Sequence, residues 1–149
     1  MRHILSIAIA ALLIVGCGNQ AASTSQPTNT PSIIVDPAEL IGSRWNVLTI
    51  NGQPIIGPNP LPLTIDSASQ VSGNGGCNGY GGGITIDGSK LTIGPLVSTL
   101  MACAEADLQA QEGSLLQSLE KVRSYQQTET TLSLLDDQGT VVVTLARQP

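Results

Sequence analysis

Val71-Ser72-Gly73-Asn74-Gly75-Gly76-Cys77-Asn78-Gly79-Tyr80-Gly81-Gly82-Gly83 decides how the rest of the chain is read. Seven of these thirteen residues are glycine, set around one cysteine, two asparagines and one tyrosine. Glycine serves where φ must be positive or where backbones come close together. So unusual a path must be held by something. The stretch begins like a phosphate loop of the G-x-G-x-x-G kind at Gly73-Asn74-Gly75, but position 78 is Asn. No Gly-Lys-Ser or Gly-Lys-Thr is present. The stretch also runs into a strand expected over Ile84 to Ile86, whereas nucleotide sites need a helix N-terminus to hold the anion. The reading is therefore structural. Asn78 bonds to nearby backbone and steadies a tight turn, Gly73 and Gly76 let the chain pass, and Tyr80 lies over the glycines.

Working outward, Pro37-Ala38-Glu39-Leu40-Ile41-Gly42 reads as one short turn closed by glycine. Ser43 to Ile50 alternates, with Trp45, Val47 and (less cleanly) Thr49 on one side and Arg44, Asn46 and Leu48 on the other, which is strand periodicity. Trp45 is expected in the core. Asn51-Gly52 is a hairpin signal, Gln53 to Pro60 is loop, and Leu61 to Ile65 alternates again. Asp87-Gly88-Ser89 turns a second hairpin between Ile84/Ile86 and Leu91/Ile93. Ala104 to about Glu120 is the one expected helix. Leu108, Leu115, Leu119 and Val122 form its apolar stripe, with Leu116 beside it. Glu105 and Asp107 near its start and Lys121 and Arg123 at its end suit the macrodipole. Three strands follow, over Arg123 to Gln127, Thr131 to Leu135 and Thr140 to Ala146. Eight or so short strands with one amphipathic helix give an α+β domain, mainly antiparallel strands in a curved sheet or open barrel packed on that helix.

The N-terminal segment and the composition speak of export. The chain has 149 residues, a one-domain length, with 2% aromatics, no Phe, and 11% charged residues against roughly 25% in ordinary soluble domains. Its core must come from Ile, Leu and Val. Residues 1–16 read as a lipoprotein signal peptide: a short basic start at Arg2 and His3, then an apolar run from Ile4 to Val15 that falls short of the roughly twenty residues of a membrane span. Ile14-Val15-Gly16-Cys17 resembles the bacterial lipobox, with a small residue before the cut and a thiol to take the lipid. Lipidation at Cys17 would anchor the protein to the cell membrane or, in a two-membrane cell, the outer membrane. Residues 17–36 are an uncharged Ser/Thr/Pro/Gln-rich tether as far as Asp36, able to reach about 60 Å when extended. The formal net charge of −5 becomes more negative once Arg2 is removed. That balance disfavours nucleic acid and anionic headgroups, so the expected partners are the membrane through its N-terminal lipid and an unknown protein.

Three motifs resemble one family. Leu40-Ile41-Gly42-Ser43-Arg44-Trp45 is similar to the opening L-x-G-x-W of the META domain, found in HslJ-like heat-shock lipoproteins. The glycine stretch is similar to its central G-x-x-G-C-N-x-Y-x-G, and Ser98-Thr99-Leu100-Met101-Ala102-Cys103 to its S-T-x-M-A-C. Leu115-Leu116-Gln117-Ser118-Leu119 and Leu132-Ser133-Leu134 match the later patterns, so the resemblance covers Pro37 to Arg147 within a domain over residues 37–149. Ile65 departs from it, at a place often aromatic, as does the lack of Phe. The resemblance implies a compact α+β envelope domain, loosely linked to stress tolerance, with no established activity and no catalytic residues to carry over.

With Cys17 assigned to lipid, Cys77 and Cys103 remain as an even pair in an exported chain, which reads as a disulfide. The alternative is a pair of buried free thiols. A catalytic thiol needs a base, and the only His, His3, leaves with the signal. Zinc would need two more nitrogen or sulfur ligands. Asp66, Asp87, Asp136 and Asp137 fall at turns, where they are solvated rather than paired for acid–base work, and Asp136-Asp137-Gln138-Gly139 lacks the alternating ligands of a calcium loop. No catalytic residue, cofactor or metal is expected. The function expected is a non-enzymatic, membrane-anchored lipoprotein with a binding or structural role in envelope stress tolerance. The alternative is an inhibitor of an envelope hydrolase or a small-ligand carrier.

Overall fold

A computed structural model describes Ile33, residues 36–101 and residues 103–149. The signal segment, Cys17 and nearly all of the tether lie outside them. The chain enters through α1 (Pro37–Leu40), capped by the Asp36 carboxylate on the Ala38 N–H. Nine strands follow: β1 (Arg44–Ile50), β2 (Gln53–Pro54), β3 (Pro62–Ser67), β4 (Gln70–Asn74), β5 (Gly79–Asp87), β6 (Lys90–Ser98), β7 (Ser124–Gln127), β8 (Thr131–Leu135) and β9 (Val141–Arg147). One longer helix, α2 (Ala106–Glu120), joins β6 to β7. Every pairing is antiparallel. The order β1-β3-β4-β5-β6-β7-β8-β9 returns to β1 and makes a ring, with β2 hung on the far end of β1.

The α+β class and curved antiparallel sheet expected from the sequence are what the protein has. Alternation fills the ring: Trp45, Val47, Leu63, Ile65, Val71, Tyr80, Ile84, Leu91, Ile93, Leu132, Leu134, Val143 and Leu145 are all buried. Leu115, Leu119 and Val122 from the helix and its end join the same core. Each such aliphatic side chain stabilises by about 1.5–3 kcal/mol when fully buried, so the domain holds without Phe. Asn51 and Gly52 both have positive φ, 49° and 76°, as the two-residue hairpin turn requires. Ser43 explains the first motif. Its hydroxyl donates to the Leu40 carbonyl and accepts from the Trp45 indole N–H at 2.6 Å, so the polar edge of a fully buried tryptophan is satisfied within the turn.

The structure corrects four local readings. A bulge between Val47 and Thr49 shifts the register, so Ile50 and not Thr49 completes the inner face of β1. Gln53 and Pro54 are not loop but a short strand pairing with Ile50 and Thr49. The helix begins at Ala106, because Glu105 is still extended at φ −117° and ψ 125°. Finally, β5 begins at Gly79, well before Ile84. Glycine is a poor strand former, but β4 and β6 flank these residues and pair with Val71↔Gly82 and Gly81↔Val97. The ladder overrides the propensity. Lys121 and Arg123 lie just past the last helical residue, where the Arg123 guanidinium donates to the Glu120 and Val122 carbonyls.

Candidate functional site

The glycine stretch is a hairpin of β4 and β5 whose turn, Gly75 to Asn78, leans onto α2. The turn closes on itself through the Gly75 N–H to the Asn78 carbonyl at 2.8 Å and the Gly76 N–H to the Asn74 side chain at 2.8 Å. Gly76 takes φ 113°, which a side chain would strain. Cys77 is disulfide-bonded to Cys103 with Cα atoms 5.7 Å apart, which joins the turn to the segment leading into α2. Tyr80 packs its ring and hydroxyl over Gly73, as expected, and leaves no room there for a Cβ. Burial raises its pKa far above the ordinary phenol value.

Asn78 does more than steady a turn. Its side-chain oxygen accepts from the Thr99 hydroxyl and from the Met101 N–H, both at 2.8 Å. Its side-chain nitrogen donates to the Met101 carbonyl at 3.3 Å and to Glu112 at 2.8 Å. The amide thus pairs with both backbone groups of Met101, as a neighbouring strand would. It is buried and all its capacity is used within the chain.

Glu112, on α2, was not singled out by the sequence reading and is the centre of the arrangement. It is buried at 7% exposure. One carboxylate oxygen accepts from the Asn78 N–H at 2.6 Å and the Cys77 N–H at 3.2 Å, and the other from the Asn78 side chain. Three N–H donors compensate the buried charge, as a carboxylate in a low dielectric needs. A Cβ at Gly75 would stand 2.5 Å from the Glu112 Cγ, so glycine there is what lets the carboxylate approach. A signal for it exists: Glu112 fills the gap of seven between Leu108 and Leu115, in the middle of the apolar stripe.

Other side chains fasten α2 in the same manner. Gln111 accepts from the Ile56 N–H at 2.6 Å and donates to its carbonyl at 3.3 Å. Asn51 of the first hairpin donates to Ser118 at 3.0 Å, and Glu120 accepts from the Leu96 N–H at 3.1 Å on β6. Of the turn carboxylates, Asp136 accepts from the Gln138 and Thr140 N–H groups, and Asp66, Asp87 and Asp137 are exposed. The structure does not bring these four together with Glu112. Among the described residues no group of three or more His, Cys, Asp or Glu is arranged to hold a metal ion, and no helix is long and apolar enough to cross a membrane.

Open clefts among the described residues include one of about 250 Å³ between the first hairpin and α2, lined by Ile50, Pro54, Ile56 and Gln111. Another, about 360 Å³, is floored by Gly81 and Gly82 and edged by Asp66, Gln70 and Val97. A further one, about 260 Å³, lies beside β6, lined by Ile93, Gly94, Pro95 and Glu120. Beside the disulfide, Leu100 and Met101 are exposed at 97% and 64%, and Val97 near the end of β6 is exposed at 75%.

A ring of antiparallel strands, one long helix, and a Gly-Cys-Asn turn fastened to that helix by Glu112 and to the segment before it by a disulfide define a small α+β barrel domain. The chain belongs to the META domain family, whose model matches residues 38–149. Over 147 residues it is 24% identical to the heat shock protein HslJ of Escherichia coli (strain K12), spanning 98% of this chain and 97% of that protein. Two structures determined by NMR share the fold with a TM-score of 0.59. One, from Burkholderia xenovorans, is 27% identical and is matched over 83% of this chain and 99% of its own. The other is 24% identical, over 77% of this chain and 95% of its own.

Proposed function

We propose that the protein is a non-enzymatic META-domain lipoprotein of the bacterial envelope, anchored by lipid at Cys17, whose folded domain works by binding or bracing rather than by turnover. One observation carries this reading. The most chemically conspicuous residues of the domain, Cys77, Cys103, Asn78 and Glu112, spend their polar groups on one another and on neighbouring backbone. A carboxylate that accepts three internal N–H groups is a cross-link, not a free base. The lipobox at Cys17 supports the anchor, and the heat-shock designation of the E. coli relative supports a part in stress tolerance.

The small-ligand-carrier reading finds less support, because these clefts are open to solvent, whereas ligand pockets bury most of their occupant. The inhibitor reading draws on the exposed apolar segment beside the disulfide. For the anchor, Cys17→Ser should move the protein from the membrane to the soluble fraction of cells, and unchanged membrane retention would contradict it. For the non-enzymatic reading, turnover of an envelope substrate that a single carboxylate-to-amide substitution abolishes would overturn it.

A further inference from the structure

Leu100 stands at the tip of the segment between β6 and α2 and is almost wholly exposed, at 97%. An exposed leucine on a loose loop would mean little. This one is held on both sides. Before it, the Thr99 N–H extends the β5–β6 ladder by bonding the Gly79 carbonyl at 3.0 Å, and the Thr99 hydroxyl bonds Asn78. After it, Met101 is gripped at both its N–H and its carbonyl by the buried Asn78 amide. Two residues further on, Cys103 is tied to Cys77. Among the described residues the N–H and carbonyl of Leu100 itself have no partner. The result is a short non-helical peptide, fixed at its flanks, whose leucine is almost wholly exposed and whose own backbone polar groups are unpaired among the described residues.

That presentation suits a cleft that pairs with a peptide backbone as a strand and takes one side chain into a pocket. Endopeptidase clefts read peptides in this way. A ligand already held in the bound shape avoids the ordering cost that a flexible substrate meets, and so binds tightly and leaves slowly. Charge narrows the partner further. From Leu91 to Glu120 there is no Lys or Arg, and Glu105 and Asp107 are exposed next to the segment. They oppose an anionic lipid surface and favour a cleft with a basic rim.

We propose that Thr99-Leu100-Met101 is a substrate-like docking segment that occupies the cleft of an endopeptidase with an apolar primary pocket, Leu100 being the side chain it takes. The proposal rests on the binding reading above and names the partner class. It is tested with the full-length protein in detergent, titrated against a chymotrypsin-type endopeptidase and a subtilisin acting on a small chromogenic peptide. Stoichiometric inhibition is expected, weakened about 100-fold by Leu100→Ala and transferred to a trypsin-type endopeptidase by Leu100→Lys. Leu100 is solvent-exposed, so both variants should keep the parent circular dichroism and melting curve. Failure to inhibit either probe, or rapid cleavage between Leu100 and Met101 as in any substrate, would overturn it. So would Leu100-dependent binding to phosphatidylglycerol-containing vesicles without inhibition. Capture of the same envelope protein by the parent and by Leu100→Asp would remove this proposal while leaving the broader binding role standing.

Discussion

The ring closes in two ways. Between β1 and β9 it closes with backbone, through five registered pairs from Trp45↔Arg147 to Ile50↔Val143 and buried Val47, Val143 and Leu145 behind them. On the other side, β6 and β7 meet at a single registered pair, Lys90↔Ser124. There α2 lies along β6 and is fastened by side chains: Glu120 on Leu96, and Glu112 on Cys77 and Asn78. A ladder spreads its stabilisation over many equivalent groups. A side-chain node concentrates it in few, and so depends on each.

That contrast sets the largest expected effect. Glu112→Ala leaves three donors without their acceptor and should destabilise the domain by about 3–5 kcal/mol, read from the urea midpoint. Thr144→Ala, a half-buried change in the β9 ladder, should cost within about 0.5 kcal/mol. Equal losses would break the comparison. Next comes the disulfide. Replacing Cys77 and Cys103 together by serine opens a loop of 26 residues, worth about 3.5 kcal/mol in the chain-entropy model. Because Glu112 grips the same turn, the two losses should be non-additive by about 0.5 kcal/mol or more. Strict additivity would mean that they hold different things.

The smallest effect concerns Tyr80 and sharpens the picture of the hairpin. Burial pushes the pKa of Tyr80 up, and that of Tyr125 is raised by burial and then by Asp36. An unfolded tyrosine titrates at about 10. Above that pH the unfolded chain gives up protons that the folded chain keeps, so stability falls as pH rises, by up to about 1.4 kcal/mol per unit for each tyrosine. The Tyr80 hydroxyl is buried without a hydrogen-bond partner among the described residues. Tyr80→Phe should therefore change stability at pH 7 by less than about 1 kcal/mol and make the alkaline fall shallower. An unaltered alkaline profile would place the titration elsewhere.

Much of the ladder side was legible. Asn51-Gly52 and Asp87-Gly88 mark their turns by dipeptide chemistry, and Trp45, Leu63 and Leu132 mark inner faces by alternation. The Cys77–Cys103 bridge followed from counting thiols. The node was less legible, for physical reasons. A strand over Gly79 to Gly83 has no side-chain periodicity to read, because its identity comes from β4 and β6 on either side. Asn78 beside a glycine turn suggests a local bond, whereas its partners lie 21 to 34 residues away. Glu112 in a helix suggests solvent, and its place on the apolar stripe, the one signal of burial, is easily passed over. Polar side chains that replace a ladder leave their mark in position, not in residue type.

Amide hydrogen exchange tests the node most directly. The Cys77 and Asn78 N–H groups lie in a turn, yet both donate to a buried carboxylate. The account predicts that they are protected in the parent to a degree approaching the β8–β9 ladder. In Glu112→Ala that protection should be lost at these two amides, while the ladder amides of Leu132 and Leu145 keep theirs relative to the variant's own global stability. Free exchange of Cys77 and Asn78 in the parent protein would contradict the claim that Glu112 fastens the glycine hairpin to the helix.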